Sequence, residues 1–189
     1  MTTVDAFLTN CRLADGRLVD IGVADGKIVI VGEGAAPASS NSAPALDIGG
    51  DLVLPGLVDG HMHLDKTLTG LPWMGHAAGP TRISRIETDK TILPHLPLST
   101  EERAGNLIRV CVAGGTSHLR THVDIDLESG ITKLEGVLAA RERYRDRVTV
   151  QIIAFPQSGV MRCPGVLDLL DAAVRKGRRS GRRHRSAGD

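Results

Sequence analysis

Leu52-Val53-Leu54-Pro55-Gly56-Leu57-Val58-Asp59-Gly60-His61-Met62-His63-Leu64-Asp65 is the stretch on which the fold turns. Its apolar run predicts a strand over 52–58 that delivers two histidines spaced i, i+2. Residues two apart in extended chain project to one side. Both imidazoles can therefore meet at one metal ion. In a parallel barrel the C-terminal ends of the strands are where active sites form, so the placement suits chemistry as well as the spacing does.

Downstream, strands and helices alternate. Residues 64–98 are polar, contain Gly and Pro, and are expected to form an irregular, substrate-covering region. Ser99-Thr100-Glu101-Glu102 supplies an N-cap and first-turn acids for a helix running to about Ala113, where Gly114-Gly115 stops it. Thr116 to Val123 reads as a second strand and 127–144 as a mostly helical segment with Leu134, Val137 and Leu138 on one face. Val148 to Phe155 is a nearly continuous apolar run, expected of a third strand covered on both faces. Residues 164–176 make another amphipathic helix. The order β-α-β-α-β-α predicts an α/β fold with a parallel sheet or barrel.

Upstream, residues 1–51 read as a small β unit. Asp25-Gly26 between apolar runs is a two-residue hairpin signal. Residues 34–45 are rich in Ala, Ser and Pro and read as a loop, with a short strand expected near 47–51. The apolar residues of this block are too few for an independent core.

The chain has 189 residues and a formal net charge of +1. Seven of its 23 basic residues fall between Arg175 and Arg185, so without residues 175–189 the remainder holds 16 basic and 21 acidic residues. The body is acidic and only the end is basic. Cys11, Cys111 and Cys163 are widely spaced, with no CxxC pair, which argues for a reducing, cytoplasmic setting. No run of 18 apolar residues and no N-terminal signal segment is present, so no membrane role is expected.

Other polar residues gather at the strand ends. His122 and Asp124 close the second strand, and His122 is placed to orient a ligand or substrate. Asp65 and Lys66 follow the histidine pair and could support it. Gln157 follows the third strand, and its amide offers one donor face and one acceptor. That suits the edge of a cyclic amide or pyrimidine. His118 lies deeper in the second strand and reads as structural, while His76 and His95 sit in polar sequence without an expected role. No phosphate-binding glycine motif is present.

At these residues the chain resembles the amidohydrolase superfamily, and within it the cytosine deaminase branch. The segments that carry the resemblance are Leu54 to Lys66, His118 to Asp124, and Val150 to Gly159. The resemblance spans about residues 4–177. It implies a distorted (β/α)8 barrel beside a small β-sandwich, with residues 1–51 giving part of the sandwich and 52–177 the first three barrel strands. It implies that His61 and His63 bind one divalent metal ion, iron or zinc, and that Gln157 and Phe155 contact a heterocyclic substrate. His122, Asp65 and Asp124 would support them. The implied reaction is hydrolysis of an exocyclic C–N bond on a pyrimidine or related ring by a metal-activated water, in an enzyme that assembles as a homo-oligomer.

The resemblance also implies a third histidine, a glutamate, a further histidine and a late aspartate, none of which this sequence supplies at the expected places. A (β/α)8 barrel takes about 250 residues, and only about 125 run from Leu52 to Lys176. No acid–base residue is therefore assigned, and the site is expected to be incomplete and inactive in this chain. Residues 178–189 read as a basic, disordered tail produced by a shifted reading frame. The alternative is a non-catalytic protein that binds nucleic acid through that tail.

Overall fold

The structure is a computed structural model that describes residues 3–37, 43–75 and 77–182, the last four by backbone alone. It divides into two compact units, Met1–Pro55 and Gly56–Asp189. The boundary falls at the Pro55-Gly56 step, a few residues beyond the expected one.

The first unit is one four-stranded sheet in the order β3-β2-β1-β4. It comprises β1 (Ala6–Arg12), β2 (Leu18–Ala24), β3 (Lys27–Gly32) and β4 (Ala45–Asp47). β1/β2 and β2/β3 are antiparallel, and β4 lies parallel to β1. The expected hairpin forms, with Asp25 and Gly26 at φ 49° and 68°. Two successive positive φ values are what a type I′ turn requires. Buried Cys11, Val19 and Ile21 pack with Leu8, Leu13, Ile48 and Val53. The last strand lies at 45–47 rather than 47–51.

The second unit holds three parallel strands in the order β5-β6-β7: Leu57–Met62, Thr116–Asp124 and Thr149–Phe155. Helices α2 (Thr100–Ala113), α3 (Thr132–Arg143) and α4 (Val166–Arg182) follow in alternation, and a further helix, α1 (Arg82–Ile92), precedes α2. The Ser99 hydroxyl accepts the Glu102 N–H at 3.2 Å, and Glu102 accepts the Ser99 N–H at 2.8 Å. This reciprocal pair fixes the start of α2. Leu119, Val123 and Val150 from the strands pack with Ile108, Leu134, Val137, Leu138 and Ala173 from the helices. The face of α3 expected from Leu134, Val137 and Leu138 is the buried one.

Four expectations change. The first strand of the second unit is 57–62, not 52–58, because Val53 packs into the first unit and Leu52 bridges Arg12. The region 64–98 is not irregular throughout: α1 forms there, capped by Thr81, yet it contributes no buried residue. β7 is not covered on both faces. Thr149 and Gln151 are exposed where Val150 is buried, and His118 and Arg120 share that open side on β6. α4 also runs past its expected end, so residues 178–182 continue the helix and 183–189 lie outside the described residues.

Candidate functional site at the strand ends

The C-terminal ends of β5 and β6 bring the predicted polar residues together. His61 lies inside β5, and His63 one residue beyond it. Their ring centroids are 5.5 Å apart, with planes at 69°. Two imidazoles on one tetrahedral ion, with metal–nitrogen distances of about 2.0–2.1 Å, have ring centroids roughly 5 Å apart. The separation of the pair is close to that value. Among the described residues no third His, Cys, Asp or Glu completes a cluster.

His122 touches both histidines. Its ring stacks on His61 at 4.2 Å and 25°, and the Phe155 ring meets it edge-on at 5.9 Å. Its carbonyl accepts the His63 Nδ1–H at 2.9 Å. That hydrogen bond selects the tautomer with a proton on Nδ1 and leaves Nε2 as a free lone pair. Burial, then the nearby Lys66 ammonium, lowers the His63 pKa. Burial and the two neighbouring histidines lower that of His122. Neutral imidazole is the form that ligates a metal.

Segment 63–66 is stitched to the end of β6. The Leu64 N–H donates to Thr121 Oγ1 at 2.9 Å. Asp65 Oδ2 accepts the Asp124 N–H at 3.0 Å, and Lys66 Nζ pairs with Asp124 Oδ2 at 2.8 Å. Asp65 is fully buried, and burial pushes its carboxyl pKa up to about 6. Among the described residues its Oδ1 has no hydrogen-bond partner, and it sits 3.9 Å from His63 Nδ1.

His61, His63, His122, Asp65, Asp124 and Phe155 are thus brought together. Gln157 is half-buried on the same strand-end segment, its N–H bonded to Phe155 O at 3.0 Å. It makes no hydrogen bond to the histidines among the described residues. His118 pairs with Ser117 Oγ at 2.9 Å, and His95 is exposed. His76 lies outside the described residues.

Sequence reasoning passed over two residues here, Thr121 and Arg103. Thr121 is fully buried between Leu119 and Val123 on the helix-facing side of β6. A hydroxyl on an otherwise apolar strand face needs a partner, and that alternation was its available signal. Arg103 is 2% exposed on α2, beside buried Ala104. A charge on the apolar stripe of a helix is the corresponding signal.

No family model matches the chain. Over 166 residues, 82% of its length, it is 32% identical to N-isopropylammelide isopropyl amidohydrolase of Pseudomonas sp. (strain ADP). It superposes on N-isopropylammelide isopropylaminohydrolase of Burkholderia multivorans with a TM-score of 0.82 and 37% identity, over 91% of its length. It superposes on 5-methylcytosine deaminase of Klebsiella pneumoniae, liganded with phosphonocytosine, with a TM-score of 0.73 and 30% identity over 90% of its length. These matches cover 39%, 43% and 42% of the respective partners, so the chain spans about two-fifths of the length of the relatives it matches.

Proposed function

Because the relatives and structural neighbours of this chain are amidohydrolase-superfamily hydrolases and deaminases that act on C–N bonds, we propose that its strand-end cluster is part of a hydrolytic site for a nitrogen heterocycle. The reaction is hydrolysis of an exocyclic C–N bond on a pyrimidine, triazine or related ring. The three parallel strands are the opening part of a (β/α)8 barrel, and His61 and His63 are two ligands of one divalent ion. The observation that carries this reading is the His63 Nδ1–H donated to His122 O, which leaves Nε2 as the coordinating atom.

When bound, a zinc or iron ion supplies Lewis acidity that makes a water nucleophilic near neutral pH. The chain's own residues do the holding. His122 fixes one imidazole through its carbonyl and packs on the other through its ring. Asp65 and Asp124 tie the two strand ends together. Phe155 gives an apolar wall, and the Gln157 amide pairs with the ring's donor–acceptor edge. Two histidines fall short of the three protein ligands usual at a catalytic zinc. A third protein ligand is not brought to the two histidines among the described residues. A nucleic-acid role for the basic end is not favoured, since the relatives act on small heterocycles.

The test is a zinc titration of the purified chain by calorimetry, with His61→Ala and His63→Ala alongside. One ion per chain, lost in both variants, is the expected result. Undiminished zinc binding in both variants would refute the ligand assignment. Amine or ammonia release by the whole enzyme from aminopyrimidines and aminotriazines then tests the reaction, and an enzyme inert to every ring in the panel would sink it.

A further inference from the structure

Arg103 is a buried cation whose hydrogen bonds all go to neutral oxygens. Its Nη2 donates to Asp65 O at 3.0 Å, its Nε to Thr67 O at 2.8 Å and its Nη1 to Leu98 O at 2.7 Å. One turn along α2, Asn106 Nδ2 donates to Thr69 O at 3.1 Å. The carbonyls of 65, 67 and 69 alternate along the segment that follows His63, so one face of α2 grips every second carbonyl of this strap. Its far end is closed by Gly70 at φ 95°, where an added Cβ would sit 2.0 Å from Asn106 Nδ2. From the opposite side the strap is held by Thr121 and by the Asp124 N–H.

We propose that Arg103 is a positioning residue for His63, its guanidinium fixing the backbone of residues 65–67 and, through it, the imidazole that donates to His122 O. This rests on the reading of His61 and His63 as metal ligands. The chemistry calls for arginine specifically. A planar fork with five donors can reach carbonyls on two separate segments, 65–67 and 98, at once. A lysine ammonium is a single point on a flexible stem and cannot span them in the same way. No carboxylate hydrogen-bonds to it among the described residues; burial disfavours its charge and the nearby Asp65 carboxylate favours it.

The experiment compares wild type, Arg103→Met and Arg103→Lys. Amide hydrogen exchange is followed across the chain, the His63 ring Nδ1–H is observed by NMR, and zinc is titrated into each protein. In Arg103→Met the amides of 64–69 should exchange at least about tenfold faster while β6 and α3 keep their protection. The His63 ring proton should be lost to exchange, and zinc affinity should fall about 10- to 100-fold, the range for an outer-shell partner. Arg103→Lys should lie closer to Arg103→Met than to wild type, and it carries the test if the methionine variant does not fold. Wild-type ring-proton protection in Arg103→Lys, or loosening spread evenly through the core, would overturn the proposal. If wild type takes up no zinc, the metal reading fails, yet the ring proton and strap amides still decide whether Arg103 orients His63.

Discussion

Replacing Thr121 by Val isolates one hydrogen bond at the site. Thr121 is fully buried, and its Oγ1 accepts the N–H of Leu64, also fully buried, at 2.9 Å. Valine has nearly the same shape and keeps the β-branched preference of a strand. The substitution therefore opens little cavity. What it removes is the only acceptor for the Leu64 N–H among the described residues, leaving that donor in the dry interior. An orphaned buried donor costs about 1–3 kcal/mol. At about 2 kcal/mol the melting temperature of a domain of this size should drop by roughly 5–10 °C. Thr121→Ser is the control: it keeps the hydroxyl and loses a buried methyl, for about 1 kcal/mol. Urea unfolding followed by circular dichroism should rank wild type above Thr121→Ser above Thr121→Val. If Thr121→Val were as stable as wild type, or more stable than Thr121→Ser, the claim that this hydroxyl anchors the strap would be refuted.

Two further outcomes follow from packing and charge. Burial alone would raise the Asp126 carboxyl, but Lys133 Nζ at 2.9 Å and the Ser129 N–H and Oγ–H at 2.7 and 2.8 Å hold it below its usual range. Its folded pKa is depressed, so its contribution is present above about pH 4 and is lost as pH falls through the folded value. Asp126→Asn should flatten that acid-side loss in urea midpoints taken from pH 7 down to 2, and Asp126→Ala should cost about 3 kcal/mol by leaving Lys133 unpaired. Gly136 on α3 faces Thr100 and Glu101 of α2, where an added Cβ would lie 2.8 Å from Thr100 Cβ and 3.1 Å from the Glu101 nitrogen. Gly136→Ala should therefore destabilise by about 1–2 kcal/mol despite a helix-propensity gain of about 1 kcal/mol, and a raised melting temperature would contradict the close approach.

Where local chemistry and packing agree, the sequence is readable. The Ser99–Glu102 pair, the Asp25-Gly26 turn and the Leu134–Val137–Leu138 face each state their structure outright. α1 escapes such reading because it buries nothing, so no apolar stripe marks it. β5 is misplaced by its own neighbours: the apolar residues at 52–54 belong with the first unit, while the strand proper is Leu-Val-Asp-Gly-His-Met. The closeness of the two histidine rings is legible from their i, i+2 spacing. The pair's support is not, because Arg103 on α2 and Thr121 on β6 are far from it in sequence and meet it only once both elements fold onto the segment after β5.

That separation has a consequence for the order of events at the ribosome. The contacts that hold His63 and Asp65 reach across 59 residues to His122 and Asp124. At about 5–20 residues per second, roughly 3–12 s of synthesis separate the histidines from the strand that shapes them. Until then His61 and His63 trail as unpaired chain. Through that interval the imidazoles have no chosen tautomer. The proton on His63 Nδ1 is fixed only when β6 has been made and the segment between the two strands has been drawn shut.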